Sequence, residues 1–375
     1  MRRIVAISDF CTQVPPLGGD YPDTDAPPAP IAAGSAVKGG YLERLPLAAV
    51  CAGLVDTAEI WDFAGGADDF VGVQPSPWGL ATRRFRADPH MAPYGSAQLR
   101  HHLRRFGAPE ILCVWGLGVT AQTLDSCANS IIIYNSLDVD ALRVPPQISA
   151  RCDIFLTGSQ AQTDAVLARH PNAIVAMLPI GPDFASPRTF YPTGAPKDFD
   201  VIYVAAAQSY KRHDILFNAL AGLPQRLRAL CVFGYGEDAG ALRNQAAALG
   251  LDMQFIGPPG VPHDEVNRLM NRAHVGVVCG VDDGAPAILT EYMLAGLPVL
   301  SNAQLRCGLQ YIRPETGRTA SAADFGAVLV DMLANLADFT PRETVLANWT
   351  WDHSVQRLAA LVDRARDQRL RRARA

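Results

Sequence analysis

Short apolar runs alternate with stretches of helical periodicity along the whole chain. In the first half the runs are residues 3–8, 59–63, 111–115, 131–134, 154–157 and 174–178. Each is too short for a helix and is bounded by polar or glycine-containing segments, so each predicts a strand. Between them, residues 41–54, 96–106 and 159–169 carry apolar residues at helix spacing, with Pro46 marking a kink or a late start. A second series follows. Its strands are expected at 200–207, 229–233, 253–256 and 274–279 and from Val299, with helices from Asp214, over 287–295 and over 324–336. Strands alternating with helices predict an α/β fold of mostly parallel sheets with helices on both faces. Ligands of such sheets bind at the carboxyl ends of the strands.

Residues 280–300, GVDDGAPAILTEYMLAGLPVL, concentrate the candidate chemistry. Asp282, Asp283 and Gly284 form a polar turn after an apolar run. Pro286 suits a first helical position, Gly296 a left-handed C-cap, and Pro298 blocks continuation. The helix between them is apolar nearly all round, which predicts burial, yet it carries Glu291. A buried carboxylate needs hydrogen-bond donors, and a vicinal diol offers two. Asp283, in the loop feeding the helix, could face the same crevice. The N–H groups of Ala287 and Ile288 open a helix N-terminus, which favours an anion. Diol, phosphate and sugar hydroxyl together describe a nucleotide sugar. The same spacing is met by a carboxylate that only caps or bridges within a buried helix.

Other candidates flank this stretch. Lys211 and Arg212 precede a helix starting at Asp214, and cations at a helix N-terminus oppose its dipole unless an anion sits between them. They are candidates for holding a diphosphate, against the plainer reading of an exposed basic turn. Gly39 and Gly40 lie between the first strand and the first helix, where glycines let backbone N–H groups approach a phosphate; a flexible turn has the same composition. The turn GYGEDAG at 234–240 has the spacing G-x-G-x-x-x-G and no acid after the next strand, so it falls short of a dinucleotide fingerprint. Asp23-x-Asp25 and Asp138-x-Asp140 are too short a pattern to carry a metal site. His101 and His102 are adjacent on a helix and do not share a face, so they read as a solvated face and not as a metal pair.

The Asp283–Glu291 pair with its AGLPVL tail resembles the acidic-x7-Glu signature of GT-B glycosyltransferases of the family 4 type, the glycosyl transferases group 1. The likeness is nearly continuous from about residue 200 to 361 and looser before that. It implies two Rossmann-like domains facing a central cleft: residues 1–185 on the acceptor side, a proline-rich linker over 186–199, and residues 200–348 on the nucleotide-sugar side. A closing helix over 349–375 would cross back to the first domain and end in a basic tail. It implies a retaining, hexosyltransferase-like enzyme. In that family Glu291 would hold the ribose, Asp283 would contact the donor sugar, and Lys211 would stabilise the leaving diphosphate. Gly39 and Gly40 would approach the donor phosphates, and Gly257 with Pro258 and Pro259 would line the base. Lys211 and Asp283 are then the catalytic candidates. Gly39, Gly40, Lys211, Arg212, Gly257, Asp283, Ala287, Ile288 and Glu291 form the donor-binding set, with no metal and no cofactor beyond the donor itself.

The chain departs from the family pattern in several places. The first acid is Asp283 where glutamate is usual. Ala206 stands at the arginine position, with Arg212 as a substitute from a different place. Ile180 replaces an asparagine, and Trp115 stands where an acceptor-side histidine is expected, with Asn135 or Ser136 near a second. These departures keep open a non-catalytic sugar-nucleotide binder, acting as scaffold or partner of another transferase. A nucleotide-sugar epimerase would need acids and histidines around the sugar, and Trp115 argues against it.

Composition narrows the partners. The chain has 375 residues, more than one core usually serves. A net charge of −4 offers no basic surface for nucleic acid. No apolar run reaches the length of a membrane span, so membrane association is expected to be peripheral at most. The start MRRIVAISDF reads as a strand and not a signal peptide. Eight scattered cysteines with no C-x-x-C fit a reducing, cytoplasmic setting. The six arginines from Arg364 onward read as a solvated end in preference to a weak membrane-surface contact. Expected partners are a UDP- or GDP-sugar donor and a small-molecule, glycan or lipid-linked acceptor.

Overall fold

The computed structural model describes residues 1–8, 23–31, 35–66, 68–75, 78–89, 91–136 and 138–374. Residues 9–22 and 32–34, between the first strand and Gly39, lie outside the described residues. The chain divides into two compact units, Met1–Ile180 with Trp351–Ala375, and Gly181–Thr350.

The first unit carries an eight-stranded sheet. Its strands are β1 (Arg3–Ile7), β2 (Thr57–Ala64), β3 (Gly72–Pro75), β4 (Ala81–Arg86), β5 (Ile111–Trp115), β6 (Ile131–Asn135), β7 (Ile154–Thr157) and β8 (Ile174–Met177). They lie in the order β3-β4-β2-β1-β5-β6-β7-β8, parallel throughout except for the β3–β4 pair. Every residue of β1, β2, β5, β6 and β7 is buried, as strands covered on both faces are, including the charged Arg3, Glu59 and Asp62. Ser96, Thr120 and Ser159 cap the helices Ala97–Phe106, Ala121–Ser126 and Gln160–Arg169, each hydroxyl accepting from the backbone N–H three residues on.

The second unit carries a six-stranded, wholly parallel sheet. Its strands are β9 (Phe199–Val204), β10 (Arg228–Val232), β11 (Asp252–Ile256), β12 (Ala273–Val278), β13 (Val299–Asn302) and β14 (Gly317–Ala320). Their order is β11-β10-β9-β12-β13-β14. One face packs Ile202, Leu230, Leu289, Tyr292 and Met293; the other packs Val201, Tyr203, Leu216, Phe217 and Phe325. Residues 181–199 belong to this unit, with Asn267 Oδ1 accepting from Tyr191 N and Asn271 Oδ1 from Thr193 N.

Three expectations need correction and a fourth needs refinement. The strands β3 and β4 were not expected, because ATRRFR reads as a polar stretch; Arg83 and Arg84 are buried there as ion-pair partners of Glu59 and Asp62 on β2. The helix expected over 287–295 spans Ile288–Leu294, so Pro286 precedes it instead of opening it. His102 is not solvated: it is buried against Trp61, Phe85 and Phe106, and burial with nearby Arg83 pushes its pKa down to about 4. The arginine-rich end is solvated at Arg364, Arg371, Arg372 and Arg374, but it is helical and partly anchored. It completes the helix Trp351–Arg374, where Arg366 pairs with Glu110 and Arg369 holds Asp153 through two 2.7 Å bonds.

Candidate functional site

The strand order of the second unit fixes where its crevice lies. From β9 the chain steps outward through β10 and β11, then returns to the other side of β9 as β12. The carboxyl ends of β9 and β12 therefore form a topological switch point, the usual ligand crevice of an open parallel sheet. Lys211 sits in the connection after β9 and Asp283 in the connection after β12. Their side chains meet there as an ion pair, Lys211 Nζ to Asp283 Oδ2, with both side chains largely buried. The Lys211 ammonium also lies 4.8 Å from the ring centroid of exposed Tyr210.

Both loops are held on several sides. The Tyr203 hydroxyl donates to Lys211 O at 2.6 Å and accepts from Cys279 N at 3.4 Å, so one buried side chain of β9 ties the first loop to the end of β12. Asn302, at the end of β13, donates to Cys279 O at 2.9 Å. Arg306 N donates to Val281 O at 3.0 Å, and Gly284 bridges Cys307. Among the described residues, the two non-glycine residues with positive φ are Arg212 (51°) and Ala285 (61°), one in each of these loops. Such backbone costs of order 1 kcal/mol and persists where surrounding contacts over-determine it.

Glu291 lies on the short helix Ile288–Leu294 and is 7% exposed. That helix ends as its sequence requires. Gly296 adopts φ 88°, Gly296 N donates to Met293 O, and Leu297 N to Tyr292 O, which is a Schellman closure. Thr290 Oγ1 donates to Pro182 O at 2.8 Å. The Tyr292 hydroxyl accepts from Val204 N at 2.6 Å and reaches Ile202 O at 3.3 Å, which fastens the Glu291 helix to β9.

The other sequence candidates are placed as follows. Ala287 is the N-cap and Ile288 the first residue of the Glu291 helix. Arg212 turns to Asp214, with two 2.9 Å bonds from its guanidinium to the carboxylate. This pair raises the Arg212 pKa and lowers that of Asp214. Ala206 is buried on the same loop. Gly257 has φ 76° and lies so close to Phe233 O that any Cβ would collide with it, so backbone packing alone demands glycine there. Gly39 and Gly40 lie in the first unit. Glu43 Oε2 accepts from Gly40 N at 2.8 Å, and Arg44 Nε donates to Gly39 O at 2.9 Å. Trp115, also in the first unit, is buried at the carboxyl end of β5 and meets Tyr41 edge to face. One aspartate of each D-x-D pattern pairs with an arginine, Asp25 with Arg105 and Asp138 with Arg143. Among the described residues no group of three metal-ligating side chains comes together, and no helix is long and apolar enough to cross a membrane.

Sequence reasoning missed three residues of this site. Tyr203 and Tyr292 read as ordinary core residues, and only their hydroxyl bonds show otherwise. His213, next to Arg212, is buried beside Tyr203 at a 4.7 Å ring separation. Burial and the Lys211 charge push its pKa down to about 4.

Residues 190–318 match the family model of the glycosyl transferases group 1. Comparison with curated protein sequences gave no match. Among solved structures, sucrose-phosphate synthase of Thermosynechococcus elongatus aligns over 97% of this chain and 99% of its own at a TM-score of 0.67 and 19% identity. The Anabaena protein HepE, in complex with UDP and glucose, aligns over 97% and 100% at 0.66 and 14%. An E. coli trehalose-6-phosphate structure bound with UDP-2-fluoro glucose aligns over 96% and 99% at 0.63 and 12%. At these identities the likeness is one of fold, and the fold is GT-B. The chain therefore has the GT-B fold over nearly its whole length and carries, over residues 190–318, a domain matching the glycosyl transferases group 1.

Proposed function

We propose that the protein transfers a sugar from a UDP- or GDP-sugar to an acceptor with retention of configuration, in the cytoplasm and without a metal or other cofactor. The observation that carries this reading is the buried Lys211–Asp283 pair at the switch point of β9 and β12, with Glu291 on the helix that follows. When the bond from the anomeric carbon to the diphosphate breaks, negative charge grows on the leaving oxygen. The Lys211 ammonium is the cation to neutralise it, a preorganised electrostatic role. Asp283 accepts from a hydroxyl of the donor sugar, and Glu291 accepts from the ribose diol. No side chain is assigned as base; the leaving phosphate takes the acceptor proton on the face it departs from. The nucleotide-bound states of the Anabaena and E. coli fold relatives support a uridine donor as the first to try.

The test is nucleotide diphosphate release from a panel of UDP- and GDP-sugars, followed together with thermal shift. Release from one donor, with stabilisation by the matching diphosphate, is the expected outcome and names the donor. An absence of binding by either nucleotide would overturn the assignment of Lys211, Asp283 and Glu291.

A further inference from the structure

Two buried tyrosines reach the candidate site from opposite faces of the second sheet. Tyr203 belongs to β9 and packs on the face of Leu216 and Phe217. Its ring is held by His213 at 4.7 Å, and its hydroxyl lies between Lys211 O and Cys279 N. Tyr292 belongs to the Glu291 helix and packs on the face of Ile202 and Leu289. Its hydroxyl lies between Val204 N and Ile202 O, at the carboxyl end of the same strand β9. Gly276 on β12 makes room for it: a Cβ there would lie 2.5 Å from the Tyr292 ring. Burial raises the pKa of both phenols well above the ordinary value, so each hydroxyl keeps its proton and can donate and accept at once.

Each hydroxyl therefore joins a site-bearing segment to a strand end. Tyr203 fixes the Lys211 carbonyl against the end of β12, where the Asp283 loop begins. Tyr292, adjacent to Glu291 in sequence, fixes that helix against the end of β9, where the Lys211 loop begins. A hydrogen bond positions best where the ring behind it cannot move, and both rings are fully enclosed.

We propose that Tyr203 and Tyr292 are positioning residues with separate tasks: Tyr203 holds Lys211 for leaving-group stabilisation, and Tyr292 holds Glu291 for nucleotide binding. The proposal rests on the donor-site reading given above. It predicts that the same small substitution, loss of one phenolic oxygen, has different kinetic consequences at the two places.

The experiment uses the full chain with Tyr203→Phe and Tyr292→Phe. Both changes keep the ring packing, and stoichiometry of nucleotide binding corrects each preparation to its active fraction. Tyr203→Phe is expected to lower turnover in nucleotide diphosphate release roughly five- to tenfold, with UDP or GDP affinity within about twofold of wild type. Tyr292→Phe is expected to weaken UDP or GDP binding roughly five- to tenfold, with turnover at saturating donor within about twofold. A purely structural role would lower the thermal midpoint without splitting the two parameters. Equal effects of both variants, no effect of either, or the reverse split would each overturn the proposal. Amide hydrogen exchange on the unliganded protein gives a readout that needs no donor. Exchange should quicken at Cys279 in Tyr203→Phe and at Val204 in Tyr292→Phe. Unchanged exchange at both amides would overturn the proposal even if the wild type binds nucleotide. A wild type that binds neither nucleotide would instead overturn the donor-site reading.

Discussion

Lys211 enters the resting site already paired. Asp283 holds its ammonium in a crevice where both side chains are largely withdrawn from water, so on the proposed reading a donor diphosphate would share a cation that already has a carboxylate partner. Lys211→Ala removes the only cation placed at the leaving oxygen in this reading, and turnover is expected to fall at least about a hundredfold while nucleotide affinity falls less. Nucleotide release and calorimetry on one preparation check this; wild-type turnover would remove Lys211 from the mechanism. Glu291→Ala is expected to do the opposite and mainly weaken nucleotide binding. Beneath Lys211, His213 makes a pH prediction. Its pKa is depressed to about 4 by burial first and by the Lys211 charge second, with Asp214 acting in the opposite sense. The unfolded chain, with an ordinary histidine, takes up its proton first as pH falls. The neutral His213 therefore costs nothing above about pH 6.5, and stability is lost between about 6.5 and 4, by up to a few kcal/mol. Urea midpoints at pH 7 and pH 5 read this loss together with that of buried His102, whose pKa is depressed in the same way, so His213→Phe should reduce the slope by about half; an unchanged slope in the variant would assign the loss elsewhere.

At the scale of elements, the buried Arg83–Glu59 pair joins β4 to β2 and reaches further. Arg83 donates to the carbonyls of Thr24, Ala26 and Pro27, and Glu59 accepts from Ala29 N and Trp61 Nε1, so the pair also fastens residues 24–29 onto the sheet. Burial alone would raise the Glu59 pKa, yet the Arg83 bonds and charge hold it below the usual value. Arg83→Met strands a buried carboxylate and is expected to cost about 3–5 kcal/mol in urea unfolding, while Arg83→Met with Glu59→Leu should recover much of it. A single variant within about 1 kcal/mol of wild type would show that water already serves Glu59. The same pair shows what the sequence could and could not say. ILCVW, IIIY and IFLT announce buried parallel strands by themselves, and their bounds agree with the structure to within a residue. ATRRFR does not, because what permits Arg83 and Arg84 inside is the acids of a different strand, and local pattern carries no partner. His102 was misread for the same reason: its cover comes from Trp61 and Phe85, distant in the chain. The site divides in the same way. The Gly296 stop and the buried Glu291 helix were legible from spacing. The meeting of Lys211 with Asp283, across 72 positions, follows from strand order. The hydroxyls of Tyr203 and Tyr292 act through backbone groups that no side-chain pattern reports.

At the scale of the whole molecule, the two units differ in how the chain builds them. Gly181–Thr350 is continuous, has a core on each face of its sheet, closes on itself through the Ala185–Thr350 bridge, and contains Lys211, Asp283 and Glu291. The first unit needs two pieces of chain. The helix Trp351–Arg374 buries Val355, Leu358, Val362 and Ala365 against the helix Tyr41–Cys51 and strands β6 and β7. Burying a side chain of the Val or Leu kind contributes about 1.5–3 kcal/mol, so these positions together rival the roughly 5–15 kcal/mol that holds a whole domain. Residues 1–180 alone are therefore expected to lack a cooperative thermal transition, and joining residues 351–375 to them through a flexible linker should restore it. Residues 181–350 alone are expected to melt cooperatively and to be stabilised by UDP or GDP, because every side chain assigned to the leaving group and the ribose travels with them. Circular dichroism melts with and without nucleotide decide both points. A cooperative 1–180 would mean that the closing helix only decorates its unit. A folded but nucleotide-blind 181–350 would mean that the donor needs groups from the first unit, and Gly39 and Gly40 would be the first to substitute.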